Sequence, residues 1–455
     1  MQHLPLISHT RPDQIIAWQH GTAVTASQFL SDVEHLASLL PADQYILNVC
    51  RDRYHFAVGL AATILSKKVS LLPPSHTPDM VEQLLKYSKG VFCLHDQLSC
   101  DIALPKVLYP VMPREKLLTL DEHEQMQVPR IVASQLIAIV FTSGSTGTPV
   151  PHEKHWASLV KNVHAQAARL KLTGENGCCL VGTIPPQHMY GFESTILLPL
   201  QSGNALHSDQ PFYPADIVKA LSEVPSPKVL VSTPIHLRLL LDAEIEVPPL
   251  ALVLSATAPL SDSLAGRIEE RFNTPLLEIY GSTETGQIAT RNSTKTNQWY
   301  LLPDIQLTVK EGQTWAAGGH IEKTVSLNDL IEIVDAEHFT LHGRSQDLIN
   351  IAGKRNSLAN LNHILNSIDG VIDGAFYMPD ELTHDHVTRL CACVVAPGVT
   401  QAELLAALRQ CLDPVFLPRP LLFLKALPRN STGKLPREAL KQLFSTPPQS
   451  AGFNA

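Results

Sequence analysis

The sequence predicts an α/β protein with a large N-terminal part made of several subdomains and a small α+β part at the C-terminal end. Three observations predict it. Helix and strand patterns alternate through the first 130 residues, which is the signature of α/β architecture. Farther along, loops of Gly, Ser and Thr repeatedly follow short apolar strands, and open α/β sheets gather ligands at the carboxyl ends of their strands. After Arg344 to Asp347 the pattern changes to a short mixture of helices and strands, long enough for an independent unit. The expected division is therefore 1–344 and 345–455.

In chain order, Thr25 precedes a helix whose apolar Phe29, Leu30, Val33, Leu36, Ala37 and Leu40 share one face. Tyr45 to Val49 reads as a strand, Tyr54 to Ser66 as a helix, and Val69 to Leu72 as a strand stopped by Pro73-Pro74. Leu136 to Val140 is an apolar run suited to a buried strand, leading into Phe141-Thr142-Ser143-Gly144-Ser145-Thr146-Gly147-Thr148-Pro149. Trp156, Leu159, Val160, Val163, Ala167 and Leu170 mark a second amphipathic helix. Strands follow at Cys179 to Ile184, Lys228 to Ser232, Leu250 to Leu254 and Pro275 to Ile279, with a helix at about Ser261 to Arg271. Gln306 to Phe339 carries short strands and polar turns. The C-terminal part has helices at Leu361 to Ile368 and Ala402 to Cys411, and strands at Gly374 to Met378 and Arg389 to Ala396.

Composition narrows the function classes. The formal net charge is −8 and no long basic run occurs, which argues against nucleic acid as a partner. The twenty His are scattered without metal-ligand spacing. Cys178-Cys179 and the Cys391-x-Cys393 pair sit in apolar surroundings and are expected to be reduced core residues. The N-terminus lacks a basic region followed by an apolar core, and the longest apolar stretch, Phe56 to Leu65, is too short to cross a bilayer, so a cytoplasmic protein without a membrane span is expected.

The Gly/Ser/Thr loop has chemistry suited to a polyphosphate. Glycine lets the backbone approach a ligand closely, successive N–H groups form an anion-binding concavity, and the hydroxyls add donors. It is not a Walker A loop, because no Lys-Ser or Lys-Thr closes it. Alone, such a run reads more readily as a flexible surface turn.

Four further stretches stand in register with it: "YGSTETG" at Tyr280 to Gly286, "SLNDL" around Asp329, "GRSQDLINIAGKR" at Gly343 to Arg355, and "LPRNSTGKLPR" at Leu427 to Arg437. Together the five resemble the motifs of the adenylate-forming (AMP-binding) superfamily of acyl- and aryl-CoA synthetases, peptide-synthetase adenylation domains and firefly-type luciferases. The match runs over roughly residues 20 to 442. "PPQHMYGFE" and "TPVPHEK" are also similar to short ligases of bacterial aryl-polyene pigment pathways.

The resemblance implies an ATP-dependent acid–thiol ligase with a small mobile lid domain. A carboxylate would attack the α-phosphate of ATP, and a thiol of CoA or of a carrier-protein phosphopantetheine would displace AMP. Thr142, Ser143, Gly144, Ser145, Thr146 and Gly147 would hold the β- and γ-phosphates. Thr283 would bond the α-phosphate, and Glu284 would hold Mg²⁺. Tyr280 would stack on adenine beside Ala258, and Asp329 would take the ribose hydroxyls with Arg344 nearby. Lys434 would bridge the carboxylate and α-phosphate where negative charge accumulates. Residues 345–347 would form the hinge of the lid.

The acyl pocket would be lined by His188, Tyr190, Gly191 and Phe192, an aromatic wall suited to an aryl or medium acyl acid. No acid is clearly placed to hold a substrate ammonium, Glu193 being the candidate. One departure stands out: the lysine that closes the family's phosphate loop is replaced by Val150, and Lys154 comes four residues later. Either Lys154 reaches the phosphates, or backbone groups and Mg²⁺ carry the charge. Glu284 and Lys434 also read as solvated surface charges and Asp329 as a cap, while Ser145 and Ser282 lack the GxSxG context of a hydrolase nucleophile. An ATP-binding homologue without ligase activity and a phosphohydrolase are the competing functions.

Overall fold

The computed structural model describes residues 2–112, 126–143, 149–173, 177–344, 348–351, 354–379, 389–430, 433 and 435–445, without the side chains at 143, 344, 348, 350 and 355. Residues 144–148, 345–347, 352–353 and Lys434 lie outside them.

The apolar run at 136–140 is the heart of a longer strand, Leu136–Ser143. It lies in a six-stranded sheet between Val69–Leu72, which runs parallel, and Pro149–His155, which runs antiparallel. The strand Pro149–His155 is unforeseen by periodicity, since two prolines and four polar residues fill it. It forms because it is the sheet's edge, where a missing N–H costs no ladder bond. The two strands on either side of residues 144–148 pair antiparallel, with Pro149 opposite Ser143.

The second, eleven-stranded sheet carries most of the motif strands. Its parallel core runs Leu276–Ser282, Leu252–Ser255, Lys228–Ser232, Cys179–Gly182, Ala205–His207 and Ile15–Gln19. On the far side of Leu276–Ser282 the sheet turns antiparallel through Gly286–Arg291, Gln298–Leu301, His338–Arg344 and Asp329–Ile333. The strand expected to end at Ile279 continues through Tyr280 and Ser282, so only Thr283, Glu284 and Thr285 form the turn. Ile305–Lys310, Gln313–Gly318 and Ile321–Leu327 make a separate antiparallel meander.

Helices form where the sequence places caps and an apolar face. Thr25 caps Ala26–Leu39 by accepting from the Gln28 N–H, and Ser261 caps Asp262–Phe272 through the Leu264 N–H. Trp156–Leu170 buries Trp156, Leu159, Val160 and Val163 against a core shared with Phe192 and Ile196. Beyond residue 347, the hairpin Leu348–Ile351/Lys354–Ser357 and the sheet Asp373–Tyr377, Cys391–Val395, Leu421–Phe423 pack with Leu358–Asn366 and Gln401–Cys411 around their own core. Cys178, Cys179, Cys391 and Cys393 are buried free thiols, as expected. Among the described residues no helix is long and apolar enough to cross a membrane.

Burial also sets an acid limit. His9, His236 and His320 are each pushed by burial from 6.5 to about 4. A histidine whose folded pKa is depressed stays neutral in the fold and charges on unfolding, so its contribution is full above 6.5 and is lost as pH falls toward 4. Each is worth up to ~3 kcal/mol at neutral pH. Glu193, raised by burial to about 8, and Glu278, also raised by burial, act in the opposite sense, but they stand against these three histidines and against His76, His152 and His207, which burial also lowers. The melting temperature should therefore drop steeply as pH is lowered from 6.5 to 4.5; a flat profile over that window would contradict these assignments.

Candidate active site

The site residues converge on the turn between Leu276–Ser282 and Gly286–Arg291, at the carboxyl end of the parallel core. The turn is held from within and from two neighbouring elements. The Ser282 N–H donates to Thr285 Oγ1 at 3.1 Å, and Thr285 Oγ1 donates to the Gly286 carbonyl at 2.8 Å. His320, from the turn before Ile321–Leu327, bonds the Thr285 carbonyl through Nε2 at 2.8 Å. Burial keeps that imidazole neutral, so Nε2 carries the proton and donates. Lys154, on the hairpin strand, donates to the Thr283 carbonyl at 2.5 Å.

Gly286 has a reason to be glycine. Its φ is +69°, and a Cβ there would lie 2.2 Å from Asn162 Nδ2 and 2.8 Å from Glu193 Oε1. Those two side chains are themselves paired, Asn162 Nδ2 donating to Glu193 Oε1 at 2.8 Å. Glu193 and Lys154 are both buried. Burial raises the acid and lowers the lysine, each opposed by the charge of the other. Glu193 thus lies buried behind Gly286 with Asn162 as its partner.

The Glu284 carboxylate faces outward from the turn, with 43% of its side chain exposed. Its burial alone would raise its pKa, but hydrogen bonds from Ser282 and its own N–H, with His152 and Lys154 nearby, hold it below the ordinary carboxylate range. An ionised carboxylate beside the hydroxyls of Thr283 and Ser282 is the hard-oxygen donor set that Mg²⁺ prefers. His152 links this turn to the phosphate hairpin: its Nε2 lies 3.0 Å from Thr142 Oγ1 and 3.6 Å from Glu284 Oε1. Gly144, Ser145, Thr146 and Gly147 fall outside the described residues, as does the Ser143 side chain.

Tyr280 and Asp329 meet although 49 residues separate them, the Tyr280 hydroxyl donating to Asp329 Oδ2 at 2.6 Å. The Tyr280 ring packs against Trp299 and Phe339, at centroid distances of 5.6 and 5.5 Å. Asp329 opens the strand Asp329–Ile333 rather than capping a helix, and its ladder partner is Arg344, whose side chain is not among those described. Ala258 follows Thr257, whose backbone stands at φ +80°. For a β-branched residue that conformation is costly, of order 1–3 kcal/mol, and such strain concentrates at ligand sites. Removing the hydroxyl in Tyr280→Phe should free the Asp329 carboxylate from this bond and raise the KM for ATP by about 10-fold or more, as expected for one lost hydrogen bond to a charged group. Unchanged KM with the protein folded would separate the pair from nucleotide binding.

The expected acyl wall is a short helix, Met189–Gly191, running into a π-helical turn, Phe192–Leu197. Helical irregularities of this kind mark functional segments. A Cβ on Gly191 would lie 2.1 Å from the Pro185 carbonyl, so only glycine permits this approach. Tyr190 and Phe192 are buried, and His188 is half-buried. The Tyr190 hydroxyl has no hydrogen-bond partner among the described residues.

Two anchors escaped sequence reasoning. Arg429 binds Asp373 with both prongs of its guanidinium, at 2.7 and 2.8 Å, and donates to the carbonyl of Gly433, the residue before Lys434, at 2.9 Å. A Cβ on Gly433 would stand 3.1 Å from Ile235 Cγ2, so this loop lies beside the carboxyl end of Lys228–Ser232. Arg53 is the second. It is fully buried and bonds the carbonyls of Gly182, Ile184, His207 and Asp209. Arg53 carries no local pattern, because its partners lie far away in sequence, whereas Arg429 stands in the LPRNSTGKLPR motif and only its pairing with Asp373 is hidden.

With this geometry in place, comparison with known proteins is informative. The sequence profile described as AMP-binding enzyme matches residues 8–341. A 4-coumarate–CoA ligase of Rhodobacter capsulatus is 28% identical over 297 residues, covering 65% of this chain and 74% of that protein. A 4-chlorobenzoate–CoA ligase of Arthrobacter sp. is 27% identical over 352 residues, covering 67% and 65%. Among solved structures, the o-succinylbenzoate CoA synthetase MenE of Bacillus subtilis, in complex with its acyl-adenylate intermediate, superposes with a TM-score of 0.79 at 17% identity, covering 97% of this chain and 99% of that one. ATP-bound MatB from Rhodopseudomonas palustris gives 0.77 at 16% identity, covering 95% and 96%. At these identities the two structures establish the fold alone.

Proposed function

We propose, from the premise that this chain belongs to the AMP-binding enzyme family and so to the acyl-CoA synthetase-like, adenylate-forming ligases, that it activates an aryl or medium acyl carboxylate with ATP and passes the acyl group to a thiol. One observation carries this reading: His152 lies 3.0 Å from Thr142 and 3.6 Å from Glu284, and the Tyr280 hydroxyl donates to Asp329, so the four motif residues gather at the two ends of one strand-and-turn segment. A solvated surface acid or an isolated cap would have no reason to converge there.

The chemistry is two displacements. A carboxylate oxygen attacks the α-phosphorus, the bond to the bridging oxygen breaks, and pyrophosphate leaves. The thiol sulfur then attacks the acyl carbon, the carbon–oxygen bond breaks, and AMP leaves with the oxygen that came from the acid. Thr283 would donate to the α-phosphate, Thr142 and the loop 143–147 would hold the outgoing phosphates, and Tyr280 with Asp329 would orient adenosine. Glu284 would hold Mg²⁺, which supplies positive charge against the phosphate oxygens. Lys434 would meet the charge that builds between carboxylate and phosphate.

The aryl preference rests on the buried wall of Tyr190 and Phe192, and on a Glu193 that is engaged and raised to about 8 rather than offered to an ammonium. The CoA ligases among its relatives support CoA as the acceptor over a carrier protein. The test is carboxylate-dependent exchange of labelled pyrophosphate into ATP over hydroxybenzoates, cinnamates and fatty acids. Exchange with the aryl acids is expected; phosphate release without exchange would indicate a hydrolase, and binding without turnover an inactive homologue.

We assign the division between the two domains to residues 345–347, which carry the pivot of the small domain. Gln346→Pro should leave pyrophosphate exchange within about twofold and slow thioester formation at least ~10-fold, since a hinge works by absorbing a φ/ψ change. Equal loss of both steps would argue against the pivot.

A further inference from the structure

The absent loop lysine leaves a question about what ties the phosphate loop to the turn that bears Glu284. The hairpin strand Pro149–His155 supplies an answer. Side chains alternate across a strand, so Val150, His152 and Lys154 share one face. They descend from mouth to floor: the Val150 side is open, His152 has 16% of its side chain exposed, and Lys154 is buried. Two of the three touch the motif turn, His152 at the Glu284 carboxylate and Lys154 at the Thr283 carbonyl. His152 also contacts Thr142, which is the register partner of Val150 and the last described side chain before the loop.

We propose that His152 is a positioning residue that takes the place of the missing loop lysine, clamping Thr142 of the phosphate hairpin to Glu284 while Lys154 fixes the turn beneath. The inference rests on the nucleotide site proposed above, and it concerns this chain's own residues. His152 holds Glu284 in place from one side and the loop's entry from the other, so the carboxylate is presented ready for the metal that accompanies ATP. A lysine at 150 would stand at the mouth of the same face and reach the same region, which is why the two solutions are alternatives.

The test is calorimetric titration of ATP into the full chain, in excess Mg²⁺ and in chelator. In the wild type Mg²⁺ should tighten ATP binding. His152→Ala should leave ATP affinity in chelator within about twofold and lose about tenfold of the gain that Mg²⁺ brings, with the melting temperature little changed, the scale of one charge-assisted contact. Adding Val150→Lys to His152→Ala should restore most of that gain, and Val150→Lys alone should add little. A purely structural histidine would weaken binding equally with and without Mg²⁺ and would not be rescued from position 150; that result overturns the proposal, as does a His152→Ala protein that keeps the full Mg²⁺ effect. If the His152→Ala protein does not fold, His152→Leu, which fills the space with no donor or acceptor, carries the same test with the same two outcomes. Loss of the Mg²⁺ effect in a protein whose wild type shows no carboxylate-dependent exchange would sink the ligase reading and leave this one standing.

Discussion

Lys434→Ala is expected to lower carboxylate-dependent pyrophosphate exchange by at least ~100-fold while ATP still binds, the scale seen when one preorganised charge or donor is removed from a transition state. Lys434 itself lies outside the described residues, but the residue before it does not. Gly433 sits against Ile235 and is bonded by Arg429, which is in turn anchored on Asp373. Those contacts set Gly433 beside the carboxyl end of Lys228–Ser232, the same end of the parallel sheet at which Leu276–Ser282 leads into the Glu284 turn. Because the proposed role belongs to the first step alone, thioester formation from a supplied acyl-adenylate should be spared. Retained exchange in Lys434→Ala would remove the residue from the chemistry.

Arg53→Met is expected to produce the largest loss of stability, about 3–5 kcal/mol in a urea titration. Arg53 begins the helix Arg53–Leu65, which packs with the six-stranded sheet, yet its guanidinium reaches the ends of Cys179–Gly182 and Ala205–His207 in the other sheet. It bonds four carbonyls there, those of Gly182 and Ile184 at 2.9 and 3.0 Å. Methionine fills the volume but leaves those carbonyls buried without donors. Burial lowers the Arg53 pKa to about 10, which still leaves it charged at neutral pH. Arg53→Lys, with fewer and differently placed donors, should recover only part of the loss. A destabilisation below about 1 kcal/mol for the methionine variant would mean that water or backbone adjustment satisfies the carbonyls.

What the sequence disclosed was what is local. The cap at Thr25, the apolar faces of the helices beginning at Ala26 and Trp156, and the strand Lys228–Ser232 all follow from neighbours within a few residues. The helices Pro78–Tyr87, Pro214–Ser222 and Pro234–Asp242 are signalled by proline at their first turn, a cue that apolar periodicity alone passes over. The strand Pro149–His155 was hidden because its identity depends on being an edge, which is a property of the sheet and not of the segment. The motif residues were legible in type and spacing, yet their joining was not. Asp329 had the weakest motif and proves to be the partner of Tyr280, while His152 and Arg53 act through residues up to 156 positions away.

Attack of a carboxylate on the α-phosphate of ATP leaves a mark that oxygen labelling reads directly. The wild-type chain is incubated with ATP, CoA and an aryl acid carrying ¹⁸O in both carboxylate oxygens, and the nucleotide product is weighed by mass spectrometry. The expected product is AMP, with one ¹⁸O atom transferred from the acid for each thioester formed. ADP as the nucleotide product, or AMP without label, would contradict it.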